Sequence, residues 1–164
     1  MIISTAAILY FPLFRLTYLD SPSLIAEYLL QNETFHDPVT ITVPPISQFT
    51  NNFFLNTPQF TGGHNYHPQP YNTTYALLVA TKGEEGEIML NQQPIENFDV
   101  EWMNVPKSLD PDDKDLVGAV IRIPHGTNII RNNAGHNFQC LVYGYDDRES
   151  YGFPAAMALG KYRQ

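Results

Sequence analysis

The sequence predicts an all-β protein, an antiparallel β-sandwich of jelly-roll-like form with long loops, and three observations carry that prediction. Tyr, Phe and Trp supply 10, 10 and 1 residues, beside 13 Pro and 10 Gly, a mixture that suits pleated surfaces and interrupts long helices. Apolar side chains recur at every second position, most clearly at Phe138, Cys140 and Val142 with Gln139, Leu141 and Tyr143 between them. That is the period of a strand with at least one buried face. Turn formers return every ~8 to 12 positions, the spacing of sandwiches and jelly rolls with roughly nine or ten strands. With 164 residues, 43% of them apolar, the chain is long enough to bury a core as a single domain over 1–164.

The elements follow in order. Residues 6–19 and 23–30 read as strands broken at Asp20-Ser21-Pro22, with Ala7 to Leu19 itself a strand pair; on spacing alone Leu24 to Leu30 also fits a short helix. The apolar N-terminus, Met1 to Phe14, has no Lys or Arg before its hydrophobic run and is too short to cross a bilayer, with a degenerate signal sequence as the alternative to the strand pair. Thr40 to Val43 is β-branched and ends at Pro44-Pro45, Ile46 to Asn51 suits one helical turn, and Phe53-Phe54-Leu55 a strand. Thr57 to Tyr71 reads as a long loop from its Gly, Pro and Asn.

Tyr75 to Thr81 and Glu87 to Leu90 flank Lys82-Gly83-Glu84-Glu85-Gly86 and predict a β-hairpin. A second turn is expected at Asn91-Gln92-Gln93, then a strand in which Phe98, Val100 and Trp102 alternate toward Val105. Lys107 to Asp115 is a charged loop, and Leu116 to Ile123 and Thr127 to Arg131 are strands around Pro124-His125-Gly126. After the strand 138–145, Asp146-Asp147 stops the run. Gly152, free to take a positive φ, and Pro154 then predict that the chain leaves by a defined bend.

The closing segment also resembles a known family. Gly126-Thr127-Asn128-Ile129-Ile130, the strand containing Tyr143-Gly144-Tyr145, and Glu149-Ser150-Tyr151-Gly152-Phe153-Pro154-Ala155 are similar to the G-T-H-x-I, V-Y-G-F and E-S-Y-G-Y-P-A-G elements of the IgGFc-binding protein N-terminal domain family. Asn128 stands where that family usually has His, and Ala156 where it has Gly. The likeness continues upstream in order: Ser21-Pro22-Ser23-Leu24-Ile25-Ala26-Glu27-Tyr28, Val43-Pro44-Pro45-Ile46-Ser47-Gln48-Phe49, Ile88 to Pro94, and Trp102 to Pro106. It spans roughly 18–159 and corresponds to the C-terminal portion of that domain, so the resemblance implies that the chain begins part-way through it. Also implied are an extracellular setting and an adhesive, mucus-like or cell-surface role.

Composition narrows the partners. Seventeen acidic side chains against nine basic give a net charge of −8, which repels nucleic acid and anionic membrane surfaces at long range. Neither is expected as a partner, no membrane span is expected, and no cofactor is implied. The single cysteine, Cys140, lies on the inward parity of its strand and reads as a small buried apolar group, with an intermolecular bridge as the competing reading.

His64 and His67 offer two imidazoles three apart, which needs further ligands from elsewhere to hold zinc; a solvated loop is the competing reading. Asp110, Asp112, Asp113 and Asp115 form an oxygen-rich calcium candidate that lacks the Gly and terminal Glu of an EF-hand loop and contains Lys114. Ser150 has neither a G-x-S-x-G context nor an evident base. His36-Asp37-Pro38 reads as a turn. Asn32-Glu33-Thr34 and Asn72-Thr73-Thr74 are glycosylation sequons at Asn32 and Asn72.

Two function classes result. The first is a non-enzymatic extracellular recognition, adhesion or matrix domain that binds protein or glycan, with Phe60, Tyr66 and Tyr71 as its contact surface. The second is a structural subunit that assembles as a homo-oligomer through exposed strand edges. A hydrolase around Ser150 or a metal enzyme at His64 and His67 is the third, less economical reading. Glu149 to Pro154 serves in all of these as structure: Tyr151 and Phe153 are expected to lock the last strands together.

Overall fold

The computed structural model describes residues 7–11, 14–18, 24–27, 40–44, 46–60, 69–70, 73–105, 115–146 and 149–158. Its elements are strands and short 3-10 turns, and the chain is an all-β sandwich of antiparallel sheets. The first sheet is a meander of β1 (Ala7–Phe11), β2 (Phe14–Tyr18), β3 (Leu24–Glu27) and β4 (Thr40–Val43), paired in that order. Leu24–Glu27 is therefore strand, not helix. A 3-10 turn at Ile46–Gln48 follows the Pro44-Pro45 break, as its sequence predicts.

Next come β5 (Asn52–Asn56), the short pair β6 (Gln59–Phe60) and β7 (Gln69–Pro70), and β8 (Thr73–Thr81). The remaining strands are β9 (Ile88–Leu90), β10 (Gln93–Pro94), β11 (Met103–Asn104), β12 (Leu116–Arg122), β13 (Thr127–Asn132), β14 (Gln139–Asp146) and β15 (Glu149–Pro154). They build a four-stranded sheet in the order β10-β9-β13-β5 and a five-stranded sheet in the order β11-β12-β8-β14-β15. The ends of the loop expected over 57–71 pair with each other as β6 and β7.

Three local expectations are corrected. Residues 82–86 do not close a hairpin: β8 pairs with β12 and β14, whereas β9 belongs to the other sheet beside β13. The connection is a crossover through a 3-10 turn at Glu85–Glu87, and Lys82 N is drawn away to Asp115 O at 2.8 Å. The alternation of Phe98, Val100 and Trp102 is real as packing, since all three lie against the core, but only Met103–Asn104 pairs as strand. The 3-10 turn Ile95–Asn97, with Phe98 N bonded back to Ile95 O at 3.0 Å, sends this stretch along the rim of the core without a ladder partner. Finally, Gly152 is not among the positive-φ glycines; it sits in extended β15, opposite Tyr143. The chain turns back before Glu149, and Pro154 is tolerated because β15 ends the order of its sheet, where a missing N–H breaks no inner ladder.

The turn at Asn91-Gln92 is as predicted. Both residues take positive φ, 50° and 68°, the geometry whose twist joins β9 and β10 as a two-residue hairpin.

The core lies between the four-stranded sheet β10-β9-β13-β5 and the larger five-stranded sheet. Phe53, Leu55, Ile88, Leu90 and Ile130 from one meet Ala76, Leu78, Ala80, Ile121, Cys140 and Val142 from the other, with Ile95, Ile123 and Phe138 between. Phe53 and Phe138 meet edge-on with centroids 4.8 Å apart, an arrangement that adds ~0.5–1.5 kcal/mol to their area burial. The opposite face of the five-stranded sheet is also closed: Leu77, Val79, Gln139, Leu141 and Tyr143 are buried. Gln139 Nε2 donates to Pro44 O at 2.8 Å and ties β14 to the end of β4.

Candidate functional site

The sandwich ends in a built corner where the β5 exit meets the turn from β12 to β13. That turn needs a left-handed residue at Gly126, φ 85°, where a side chain would be strained although nothing crowds it. Thr57, buried just after β5, holds the turn in place: Thr57 N donates to Gly126 O at 3.0 Å, and Gly126 N donates to Thr57 Oγ1 at 2.7 Å. Two segments 69 residues apart in sequence are thus joined residue to residue by a reciprocal pair of hydrogen bonds.

Behind the turn, Asn128 is fully buried. Its Nδ2 donates to Pro124 O at 2.8 Å and to Gly126 O at 3.1 Å, while its Oδ1 accepts from Asn91 Nδ2 at 2.9 Å. Asn91 Oδ1 in turn accepts from Ile129 N at 2.8 Å, and Asn91 N donates to Ile129 O at 2.8 Å. Every hydrogen-bonding group of the Asn128 amide is occupied by the two turns, so this position is a brace and not a ligand group. Asn132 does the same at the other end of β13: Nδ2 donates to Glu84 O at 2.9 Å and Oδ1 accepts from Ala134 N and His136 N.

In front of the brace lies a hollow of about 400 Å³ lined by Asn56, Thr57, Pro58, Gln59, His125 and Gly126. Asn56, Pro58, Gln59 and His125 are exposed. Their side chains offer neutral amide donors and acceptors, an imidazole and a pyrrolidine ring, and none of the six lining residues carries a carboxylate. Such a surface can hydrogen-bond hydroxyl or amide groups, and among the described residues that line it no acid stands beside His125. Next to it, Phe54 is 72% exposed and pairs with exposed Ile129 on the outer face of the smaller sheet.

The residues singled out in the sequence fall elsewhere or outside. Phe60 lies in β6, directly after Gln59 of the hollow; Tyr66 and Tyr71, the sequons Asn32 and Asn72, the imidazoles His36, His64 and His67, and the acids Asp110, Asp112 and Asp113 are outside the described residues. Asp115 is described and exposed, and its backbone carbonyl holds Lys82 N. Among the described residues no three His, Cys, Asp or Glu side chains cluster so as to hold a metal, and no helix is long and apolar enough to cross a membrane. Ser150 Oγ is buried and has no hydrogen-bond partner among the described residues.

Cys140 is fully buried, and desolvation drives its thiol far above the ordinary range. Tyr151 OH donates to Thr74 Oγ1 at 3.0 Å; burial raises its pKa, with that hydrogen bond acting in the opposite sense. Tyr143 stacks on Tyr75 at 5.3 Å, Tyr145 on Tyr75 at 6.0 Å, and Tyr151 on Phe153 at 6.0 Å. Tyr151 and Phe153 pack against the core from β15, opposite Gly144 and Val142.

Asn56, Gln59 and His125 were not singled out from the sequence. Their signals were the turn formers Pro58 and Gly126, which mark two bends but not that the bends meet. No protein-family model matches this chain, and neither curated proteins nor solved structures yield a match.

Proposed function

We propose that the chain is a non-enzymatic extracellular recognition module that takes a hydroxyl-rich glycan or a polar protein loop in the hollow at the β5 and β12–β13 corner. The observation that carries this reading is the pairing of a rigid, fully braced frame with an open lining of uncommitted neutral groups, Asn56, Gln59 and His125. Preorganisation of that kind reduces the ordering penalty of binding. Uncharged amides and an imidazole suit sugar hydroxyls better than they suit ions. The 57–71 segment, with Phe60, Tyr66 and Tyr71, begins in the hollow wall and would supply aromatic contacts to the same ligand.

The extracellular assignment rests on the sequons at Asn32 and Asn72 and on the resemblance to the IgGFc-binding protein N-terminal domain family. A panel of immobilised oligosaccharides and extracellular matrix proteins, probed with the native chain and with a Gln59→Ala/His125→Ala variant of equal melting temperature, tests it. Capture of a defined ligand that weakens about tenfold or more in the variant, a difference of ~1.4 kcal/mol, is expected. Binding that ignores both substitutions, or none across the panel, removes the site.

A further inference from the structure

The outer edge of β5 carries a second message, resting on the strand register and sharing only Asn56 with the hollow. Asn132 N donates to Asn51 O at 2.9 Å and Thr57 N to Gly126 O at 3.0 Å. With Asn52 opposite Arg131, Phe54 opposite Ile129 and Asn56 opposite Thr127, these bonds make all three non-hydrogen-bonded pairs of an antiparallel ladder. The N–H and C=O groups of Asn52, Phe54 and Asn56 therefore point away from β13, toward the open side of the strand. β5 ends the order of its sheet, and no hydrogen bond from another described residue reaches those groups. Among the described residues the edge is interrupted only ahead of the strand, where Thr50 bridges to Phe138.

The strand itself reads Asn-Phe-Phe-Leu-Asn, nearly the same in both directions about Phe54. A two-fold interface must be self-complementary, and this edge is. We propose that β5 pairs antiparallel with β5 of a second copy, about a two-fold axis at Phe54, joining two four-stranded sheets into one. Phe54 then faces Phe54 of the partner subunit, and Asn52 faces the partner's Asn56. Each of these pairs exchanges two backbone hydrogen bonds, because the free groups of all three residues lie on the same edge.

Charge and area decide the character of the contact. β5 has no ionisable residue, so copies of a chain with net charge −8 meet along a neutral strip with no like charges opposed. The usual defences of an edge strand, a lysine, a proline or a bulge, are missing between Asn52 and Asn56. Five residues cover much less than the ~800 Å² per partner of a stable interface, which makes this a reversible dimer populated at high concentration.

Sedimentation equilibrium of the whole chain from about 10 μM to about 1 mM tests it, with circular dichroism confirming the fold of each variant. The native protein should shift from monomer to dimer across that range. Asn52→Lys with Asn56→Lys, which opposes like charges in the proposed register, should leave only monomer. Asn52→Lys with Asn56→Glu, which opposes unlike charges, should restore the dimer. Native protein that stays monomeric at the highest concentration overturns the proposal, also where an unrelated extended peptide binds the edge instead. So does a dimer that survives in the double-lysine variant, or one lost equally in the Lys/Glu variant.

Discussion

Strands β14 and β5 stand at opposite extremes of burial in one sandwich. In β14 all six residues from Gln139 to Tyr143 and Gly144 are buried, whereas β5 alternates, with Phe53 and Leu55 inside and Asn52, Phe54 and Asn56 outside. The difference follows from position: β14 lies between β8 and β15 and is covered on both faces, while β5 has β13 on one side and nothing described on the other. A strand buried on both faces can only be structure; one buried on a single face keeps a surface with which to meet something else.

Leu141→Ala gives the sharpest break of β14. Leu141 is 2% exposed and faces away from Cys140, on the side of the sheet outside the central cluster. Truncation should cost about 2–5 kcal/mol, the range for buried leucines that leave a cavity, as measured by urea unfolding. A loss below about 0.5 kcal/mol would show that the second face of the five-stranded sheet is not packed, and β14 would then resemble β5 after all.

The amide brace sits between the two extremes, because Asn128 belongs to β13, the strand that shares β5's sheet. Asn128→Leu removes two donors and one acceptor: Pro124 O loses its donor, Asn91 Nδ2 loses its acceptor, and Gly126 O keeps only Thr57 N. Leaving a buried polar group unsatisfied costs ~1–3 kcal/mol, so the melting temperature should fall clearly. If the hollow is the binding site, ligand affinity should fall with it, because the turn that carries His125 loses its support. Unchanged stability would mean that the turn stands on Thr57 alone.

How much of this was legible in the sequence differs between the two strands. Period-2 alternation marked β14, because side chains of a strand alternate whatever their partners, while the short apolar run Phe53-Phe54-Leu55 marked the centre of β5. Which strands pair is a long-range matter, which is why Lys82 to Gly86 suggests a hairpin where the chain crosses between sheets. The run Phe98-Val100-Trp102 shows the same limit from the other side: alternation reports burial, not hydrogen bonding. Asn91, Asn128 and Asn132 carry the letters of loop residues, and only the meeting of distant turns makes them internal braces. The hollow needs Gln59 and His125 side by side, a proximity that no local pattern encodes. The free groups of β5 became visible only once the register with β13 was known.

The smallest expected effect is at Phe54 itself. A phenylalanine 72% exposed contributes little to the monomer, so Phe54→Ser should change stability by no more than about 0.5 kcal/mol at low micromolar concentration, as for most surface substitutions away from special features. At high concentration the outcome should diverge, since the native chain gains stability from self-pairing by mass action and the variant does not. Thermal unfolding at two concentrations separated by about a hundredfold therefore distinguishes the two roles of an exposed aromatic. A native melting temperature that rises with concentration while that of Phe54→Ser stays fixed assigns the residue to an interface. A large loss already at low concentration would place Phe54 in the fold instead, and the contrast between β5 and β14 would be one of degree.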